Sequence, residues 1–224
     1  MTIRNLSHAF EPKSVAVIGA SCRPGAMGAV VLENIIAGGF EGEIWPVNPK
    51  YETLAGRRCY ASVGDIPGVP DLAVVMTPAV TVPGLIGELG EKGTRAAVVI
   101  TAGLTKENGL RQKMLDAARP HLLRIIGPNG LGLMLPPLRL NAGFFHMPAA
   151  PGDIALLSQS GAIAASLVDW AAANGVGFSQ IVSLGDMADV DVADCIDMLA
   201  GDARTRAIAL YLESVPHPRK FMSA

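Results

Sequence analysis

Short apolar runs alternating with helix-length segments constrain the fold of this sequence more than any other feature. Between residues 14 and 126, five apolar runs of strand length alternate with polar turns and amphipathic stretches. A strand that is apolar on both faces must be covered on both faces, as in a parallel sheet flanked by helices. We therefore predict an α/β fold. The predicted strands are residues 15–18, 43–47, 71–76, 96–100 and 122–126.

Each predicted strand ends in small or polar residues. The triplets concerned are residues 19–21, 48–50, 77–79, 101–103 and 127–129. Such residues are ordinary in turns, which is the simpler explanation for any one of them. However, the carboxyl ends of parallel strands share one edge of the sheet, and ligands of open α/β sheets bind along it. Their regular placement favours a ligand site at this edge.

The first strand leads into a glycine-rich turn and then a helix. Residues 14–28 read SVAVIGASCRPGAMG, and a helix is predicted over residues 26–37 with Gly38 and Gly39 as its C-terminal cap. A strand, a glycine-rich turn and a helix N-terminus form a common phosphate site, because free backbone N–H groups point at the anion. We predict a nucleotide-type phosphate site at this loop.

The expected ligand follows from how the loop departs from the dinucleotide fingerprint. The loop is longer than Gly-x-Gly-x-x-Gly and has Ser21 at the second glycine position. The second strand ends in Asn48, Pro49 and Lys50, without the carboxylate that holds the ribose hydroxyls of NAD. A lysine there would attract a phosphorylated ribose. Coenzyme A fits this chemistry, and NADP is the competitor, although we identify no residues for hydride transfer.

Composition excludes several classes of protein. The net charge of −2 gives no sign of a nucleic-acid or polybasic membrane protein. Residues 1–150 have 14 basic and 11 acidic side chains, whereas residues 151–224 have 4 and 9, so only the first part suits an anionic ligand. Three scattered cysteines without a CxxC motif indicate a reducing compartment. No apolar run reaches the roughly 18 residues of a membrane span, and we expect a cytoplasmic protein.

A second β-α series follows a proline-rich stretch. Residues 130–150 contain no clear helix and are interpreted as a packed connector. Strands are predicted at 153–157, 178–184 and 207–212, with helices at 163–173 and 192–199. Three strands are few for a doubly wound sheet, so we expect either a fragment or a domain completed by a partner, and the exposed edge favours self-association or a partner chain. We place the two domains at residues 1–145 and 146–224.

Many motifs in the same order resemble those of NDP-forming acyl-CoA synthetases. They are the 14–28 run, IWPVNPK (44–50), DLAVV (71–75), AVVITAG (97–103), IGPNGLG (126–132), LNA (140–142), PGDIALLSQSGA (151–162), SLGDMADVD (183–191) and LYLES (210–214). The resemblance extends from about residue 8 to residue 224. The family includes ADP-forming acetyl-CoA synthetase and resembles the alpha subunit of succinyl-CoA synthetase. The same module opens bacterial protein lysine acetyltransferases.

This resemblance implies a Rossmann-like CoA-binding domain followed by a partial flavodoxin-like domain, with coenzyme A or acyl-CoA as ligand. The first loop would hold the CoA phosphates, the end of the second strand would lie beside the adenosine, and later strand ends would line the pantetheine path. The residues implied are Gly19, Ala20, Ser21, Pro24, Gly25 and Gly28, then Val47, Asn48, Pro49 and Lys50, then Thr77, Pro78, Thr101, Gly103 and Asn129.

A second candidate site follows the strand predicted at 153–157. Ser158, Gln159, Ser160 and Gly161 occupy a strand-to-helix turn, which suits either anion binding or a simple serine N-cap. By resemblance, this turn would bind the phosphate of a phosphohistidine, and Glu213 would hold that histidine. Otherwise Glu213 is a solvated loop acid. The histidine itself is expected beyond the present sequence, and we predict no metal site.

The resemblance implies the reaction acyl-CoA + phosphate + NDP ⇌ acid + CoA + NTP. ATP or ADP with Mg²⁺ would be needed only in the complete enzyme, where an ATP-grasp domain or beta subunit would be the partner. This chain alone would be inactive. One alternative is an acyl-CoA-sensing module of a protein lysine acetyltransferase, which Asp186 in the Leu-Gly-Asp motif favours weakly. A third, less favoured, is an NADP-dependent oxidoreductase.

Overall fold

The computed structural model describes residues 3–224, which form two five-stranded sheets and a small hairpin. Elements of the first part are, in chain order, α1 (Ser7–Phe10), β1 (Ser14–Ile18), α2 (Met27–Gly38), β2 (Glu43–Val47), β3 (Thr53–Leu54), β4 (Arg57–Arg58), β5 (Leu72–Val75), α3 (Val82–Lys92), β6 (Ala96–Val99), α4 (Leu110–Ala118) and β7 (Arg124–Ile126). Short 3₁₀ turns occupy Ala79–Thr81 and Arg119–His121.

The first sheet is entirely parallel, with the order β2-β1-β5-β6-β7. The last residue of β1, Ile18, pairs with both Val47 and Val75, the last residues of β2 and β5. Val75 in turn pairs with Val99 at the end of β6. The carboxyl ends therefore meet in register, and the predicted ligand edge exists as one continuous edge.

Alternate residues of these strands enter two different cores. Val15 and Val17 pack with Val31, Leu32 and Ile35 of α2 on one face of the sheet. Their neighbours Ala16 and Ile18 enter the opposite core, with residues of α3 and α4 such as Ile86 and Met114. Burial on both faces explains why the strands are apolar throughout, as predicted.

The second part begins earlier than the predicted division at residue 145. Its elements are β8 (Gly132–Leu135), β9 (Leu140–Gly143), β10 (Pro151–Ser158), α5 (Gly161–Ala173), β11 (Phe178–Ser183), α6 (Val192–Leu199), β12 (Ala207–Tyr211) and α7 (Pro218–Ser223), with a 3₁₀ turn at Pro136–Leu138. The sheet order is β12-β10-β11-β8-β9. Strands β10, β11 and β12 are parallel, whereas β8 is antiparallel to both β11 and β9.

The stretch interpreted as a connector therefore contributes two strands to the second sheet. Val182 of β11 pairs with Leu133 of β8, and Leu133 pairs with Ala142 of β9. The second sheet has five strands where the sequence predicted three. The division between the sheets falls between β7 and β8, before residue 132, because strand pairing and not proline content decides which sheet a segment joins.

The two sheets share one hydrophobic core, and the loop after β11 hydrogen-bonds to the edge strand of the first sheet. One cluster of buried side chains includes Val17 of β1 together with Leu157 of β10 and Leu199 of α6. The loop after β11 lies along β7, where Val190 N donates to Ile125 O at 3.1 Å and Ala188 N donates to Gly127 O at 2.9 Å. This loop covers an edge that would otherwise leave backbone groups unpaired.

Two elements differ from their expected form. The sequence predicts a helix over residues 106–119, but the helix begins at Leu110, because Asn108 Oδ1 accepts from both Thr105 N (3.2 Å) and Leu110 N (3.0 Å) and so forms a turn. Strand β12 is exposed at all five residues, although it reads as a buried strand. None of the helices within residues 3–224 is long and apolar enough to cross a bilayer.

Candidate functional site

A cleft of about 590 Å³ opens at the carboxyl edge of the first sheet. We call it the larger cleft. It lies between the loops after β1, β2 and β5 and the first turns of α3. Seven of the predicted residues line it, namely Gly19, Val47, Asn48, Pro49, Lys50, Thr77 and Pro78.

A second cleft of about 340 Å³ adjoins the first, and we call it the smaller cleft. Gly19, Asn48, Lys50 and Met76 line both clefts, so the two form one groove along the sheet edge. The smaller cleft also reaches Ser21 and Gly28, as predicted for a phosphate loop. An elongated groove with a wide and a narrow part suits a ligand that has a bulky end and a slender charged segment.

Backbone geometry shapes the phosphate loop. Gly19 has φ +90°, a conformation that favours glycine. A Cβ at Gly28 would lie 2.0 Å from the carbonyl oxygen of Gly19, so the first turn of α2 packs directly against the loop. Asn48 Nδ2 donates to Ala20 O at 2.7 Å, and Asn48 Oδ1 accepts from Lys50 N at 3.0 Å. Asn48 thus joins the loop after β1 to the loop that carries Lys50.

The electrostatics of the smaller cleft favour an anion. Helix α2 has no acidic residue in its first turn, and its N-cap, Ala26, has no side chain that could accept from the free N–H groups. Two cations, Arg23 and Lys50, line the cleft. Neither forms an ion pair within residues 3–224. These features supply positive charge at one place without a protein carboxylate to neutralise it.

Six predicted residues line neither cleft, namely Ala20, Pro24, Gly25, Thr101, Gly103 and Asn129. Ala20 is fully buried and contributes its carbonyl to Asn48, while Pro24 and Gly25 are exposed on the outer part of the loop. Gly103 is exposed at the end of β6 with φ +85°. These positions shape the loops, and their direct contact with a ligand stays a prediction.

A line of hydrogen bonds continues from the groove toward the second sheet. Thr101 Oγ1 donates to Thr77 O at 2.8 Å, and Asn129 N donates to Thr101 O at 3.1 Å. The Asn129 side chain then donates to Asp186 Oδ1 at 3.1 Å, in the loop after β11. Three of the five residues predicted for the pantetheine path, Thr77, Thr101 and Asn129, therefore lie along one edge that leads to the second part of the chain.

The second predicted site forms a compact turn at the start of α5. Ser160 is the N-cap of α5, and its Oγ accepts from Ile163 N at 3.4 Å. Ser158 is fully buried and donates to Ser160 O at 2.7 Å. A Cβ at Gly161 would lie 2.8 Å from the Leu131 side chain, so the helix start packs closely on the connector. The N-cap interpretation is thus correct, and it leaves the remaining N–H groups of the first turn available to an anion.

Gln159 connects this turn to Glu213. Its Oε1 accepts from Glu213 N at 2.6 Å and from Ser214 N at 2.9 Å, while its Nε2 donates to Ser214 Oγ at 3.1 Å. The Glu213 backbone is thereby held beside the N-terminus of α5. The side chain of Gln159 is used for this contact, and its backbone N–H donates to Tyr211 O at 3.0 Å, so both bind the segment that carries Glu213.

Sequence reasoning missed several residues of the groove. Arg23 and Tyr51 line the smaller cleft, and Ser62, Thr81 and Glu88 line the larger one. Arg23 could have been predicted from the sequence, because it is a cation inside the glycine-rich loop. Ser62 could not have been predicted, because only the tertiary structure brings the segment after the β3–β4 hairpin to the groove. Lys92 Nζ holds that segment by donating to Gly64 O (3.1 Å) and Ile66 O (2.7 Å).

A buried cluster of charges lies behind the junction of the two sheets. Arg124 of β7 contacts Asp189 at 2.9 Å and Asp194 at 3.2 Å, and Lys220 of α7 contacts Asp194 at 2.7 Å and Asp191 at 2.8 Å. Burial by itself lowers the pKa of Arg124, but the hydrogen bond and charge of Asp189, with Asp194, outweigh it and raise that pKa. The cluster joins the sheets and lines neither cleft of the groove.

The histidines take structural or surface positions. His8 Nδ1 lies 3.1 Å from Asp71, and His146 Nε2 lies 2.5 Å from Asp169. The ring of His121 packs over Gly90. None of these lines the groove or the turn at Ser160. Within residues 3–224 there is no cluster of three or more side chains suited to a metal ion.

Comparisons with known proteins agree with this architecture. Residues 13–136 match the family described as "CoA binding domain", and residues 151–224 match "Succinyl-CoA ligase like flavodoxin domain". The chain is 41% identical to the alpha subunit of acetate–CoA ligase [ADP-forming] I of Pyrococcus furiosus, over 97% of this chain and 49% of that protein. It is 42% identical to acetate–CoA ligase [ADP-forming] I of Archaeoglobus fulgidus, over 95% of this chain and 31% of that protein.

A solved structure shows the same fold. It is the dinucleotide forming acetyl-coenzyme A synthetase 1 of Ca. Korarchaeum cryptofilum in complex with phosphate and ADP, which superposes with a TM-score of 0.93 at 38% identity and covers 97% of this chain and 48% of that one. The chain spans about half the length of the Pyrococcus and Korarchaeum proteins. The resemblance to ADP-forming acyl-CoA synthetases, and the predicted pair of domains, are confirmed. The chain belongs to the CoA binding domain family, and a succinyl-CoA ligase-like flavodoxin domain follows that domain.

Proposed function

We propose that this chain binds coenzyme A or an acyl-CoA in the edge groove and is the CoA-binding part of an ADP-forming acyl-CoA synthetase. The observation that carries the proposal is the smaller cleft, where two cations face the uncapped N-terminus of α2. Anions bind at such termini because backbone N–H groups and the helix dipole both favour negative charge. The larger cleft has the size expected for a nucleoside.

The ribose phosphate distinguishes CoA from NAD in this proposal. Lys50 lines both parts of the groove, at the position where NAD-binding proteins have a ribose-binding carboxylate. A cation at that position favours a phosphorylated ribose. We assign the adenosine to the larger cleft and the diphosphate to the smaller one, with the pantetheine directed along Thr77, Thr101 and Asn129.

In the complete enzyme, the proposed reaction is acyl-CoA + phosphate + ADP ⇌ acid + CoA + ATP. The residues of this chain would hold the thioester and receive a phosphorylated group at the turn before α5. The first turn of α5 would stabilise the negative charge of that group through its N–H donors, and Glu213 would orient a histidine by accepting a hydrogen bond from its ring N–H. The histidine and the nucleotide-binding residues would come from outside this sequence.

The partners follow from the same proposal. We propose an ATP-grasp domain or beta subunit as the partner that binds ADP and Mg²⁺. We also propose that the protein forms homo-oligomers. The surface of β12 supports a covering partner, since Ile208, Leu210 and Tyr211 are each 37–40% exposed on an uncovered strand. Both relatives named above are ligases, which supports the synthetase over the acyl-CoA-sensing module of a protein acetyltransferase.

Calorimetric titration of the chain with CoA, acetyl-CoA and NADP tests the proposal. We expect CoA and acetyl-CoA to bind with similar affinity, because the groove contacts the nucleotide and not the acyl group, and we expect NADP to bind far more weakly. Lys50→Glu should abolish CoA binding, whereas Glu52→Lys, just outside the clefts, should not weaken it. Tight NADP binding without CoA binding would overturn the proposal.

A further inference from the structure

A β-hairpin stands beside the groove. Strands β3 and β4 form it by antiparallel pairing within residues 53–58. The chain enters the hairpin just after Tyr51, which lines the smaller cleft, and leaves it toward residues 61–63, which line the larger cleft. The hairpin itself lines neither of these clefts. Both of its ends are therefore fixed at the rim of the groove.

The base of the hairpin is held firmly to the first sheet. Leu54 is buried in the core on one face of that sheet, together with Cys59. Cys59 N donates to Glu52 O at 2.8 Å and so closes the base of the hairpin. Tyr60 N then donates to Pro46 O of β2 at 2.9 Å. These contacts fix the position of the hairpin relative to the carboxyl end of β2, where the groove lies.

Strand β4 consists of two exposed arginines, Arg57 and Arg58. The Arg58 guanidinium carbon lies 5.2 Å from the centroid of the Tyr60 ring, a distance at which a cation is attracted to the face of an aromatic ring. Neither arginine forms an ion pair within residues 3–224. Glu52 is the only acidic residue between residues 48 and 62. The rim beside the groove therefore has an excess of positive charge that no neighbouring carboxylate neutralises.

Exposed charges that do not touch a bound ligand can still attract it during its approach. Such charges raise the rate of association, and salt screens their effect. Coenzyme A has a diphosphate and a further phosphate and is strongly anionic. We propose that Arg57 and Arg58 steer this anionic ligand toward the groove, so that they speed its association without holding it once it is bound. This inference rests on the proposed CoA binding.

Steering predicts a kinetic effect that depends on salt. At about 0.01 M ionic strength, where charges act over roughly 30 Å, the double variant Arg57→Gln/Arg58→Gln should associate with CoA roughly three- to tenfold more slowly. Its dissociation rate should stay unchanged. At about 1 M salt, where the screening length is about 3 Å, the double variant and the wild type should associate at the same rate. Glu52→Gln, which removes the neighbouring acid, should instead speed association at low salt.

The test is stopped-flow mixing of each variant with CoA that has an uncharged fluorophore on its thiol. The matched control is Lys13→Gln/Arg139→Gln, which removes the same charge. Lys13 precedes β1 and therefore lies at the edge of the sheet opposite the groove, and both control cations are exposed and line one separate cavity. Because Arg57 and Arg58 are exposed, we expect the variants to fold, and thermal melting checks this. The control should associate at least twice as fast as the hairpin variant at low salt.

Three results would overturn the inference. They are an unchanged association rate in the hairpin variant, a slower association that persists at high salt, and a loss of affinity caused by faster dissociation, which would make the arginines direct ligand contacts. Calorimetric titration of the wild-type chain with unlabelled CoA tests the proposed function separately. If the wild type did not bind CoA, that function would fail, whereas normal binding with no effect of the hairpin would refute the steering alone.

Discussion

Arg124 Nε and Asp189 Oδ2 lie 2.9 Å apart and join the edge strand of the first sheet to a loop of the second. Asp189 Oδ2 also accepts from Ile125 N at 2.8 Å, so one carboxylate satisfies both the side chain and the backbone of β7. The Arg124 side chain is only 10% exposed, and that of Asp194, its second partner, is 2% exposed. The junction between the two parts of the chain thus depends on a buried cluster of charges.

Arg124→Met should destabilise the protein strongly. Removing the guanidinium leaves Asp194 buried without one of its cations, and breaking a buried pair in this way costs about 3–5 kcal/mol. Urea unfolding measures this loss of free energy. Arg139→Met is the control, since the Arg139–Glu41 pair is exposed on both sides and should contribute less than about 1 kcal/mol. Equal effects of the two substitutions would contradict the assigned role of the cluster.

The contact between Lys220 and Asp191 should make stability depend on pH at both extremes. Burial opposes ionisation of Asp191, but the hydrogen bond and charge of Lys220, together with the backbone N–H groups of Asp194 and Ala193, outweigh it and lower the Asp191 pKa below its ordinary 3.8. Its contribution is therefore present above about pH 3.8 and is lost as the pH falls through the lower, folded-state pKa. Burial likewise opposes the charge of Lys220, yet Asp191 and Asp194 raise the Lys220 pKa above 10.5. That contribution is present below this value and is lost as the pH rises through the higher, folded-state pKa.

Thermal melting between pH 2 and 12 measures this dependence. Lys220→Met should reduce the loss of stability on the acid side, because the pKa of Asp191 then moves closer to its unfolded value. Lys113→Met, at an exposed position of α4, should leave the pH profile unchanged. A Lys220→Met profile identical to that of the wild type would show that this contact does not control the acid transition.

Gly28→Ala should damage both stability and the phosphate loop. The new methyl group would lie 2.0 Å from Gly19 O, a backbone atom that cannot move without opening the loop. We expect a loss of about 1–3 kcal/mol and a weaker affinity for CoA. Gly87→Ala is the matched control, because a Cβ there meets nothing within 4 Å and α3 should gain up to about 1 kcal/mol. Normal CoA binding by Gly28→Ala would count against the loop as the phosphate site.

Gln159→Leu should release the segment that carries Glu213. The two amide N–H groups of Glu213 and Ser214 lose their common acceptor, Gln159 Oε1. We expect their hydrogen exchange to become roughly five- to tenfold faster, while CoA binding in the distant groove stays unchanged. Gln159→Glu, which keeps the acceptor, should retain most of the protection. Gln112→Leu, on the exposed face of α4, serves as the control. Unchanged exchange in Gln159→Leu would show that the segment is held by other contacts.

The predictions from sequence succeeded best where the signal was local. Helix α6 occupies Val192–Leu199 and strand β2 occupies Glu43–Val47, both at the predicted bounds. The cap of α2 at Gly39, with φ +79°, was visible as a glycine pair after an apolar helix. Lys50 was found because it stands at a defined position after a strand. In each case, periodicity or a special residue within a few positions was sufficient.

The missed features depend on contacts between distant parts of the chain. Strand β8 joins the second sheet by pairing with β11, and Leu133 and Val182 are far apart in sequence. The sequence around β8 is rich in proline and did not predict a strand, because the partner with which a strand pairs leaves no local pattern in the sequence. The same holds for Ser62 in the larger cleft and for Gln159, whose amide is occupied by the backbone of residues 213–214.

The sequence by itself determined the order of strands and helices, the glycine-rich loop after β1 and the cation after β2, because these follow from side-chain periodicity and from backbone conformations that few residues adopt. Only the tertiary structure decided which polar groups meet. It brought Arg23 and Lys50 into one cleft, tied Asn48 to Ala20, and placed Asp189 against Arg124. Such contacts depend on how helices and strands pack, because the burial of their apolar faces sets the relative positions of loops that are far apart in the sequence.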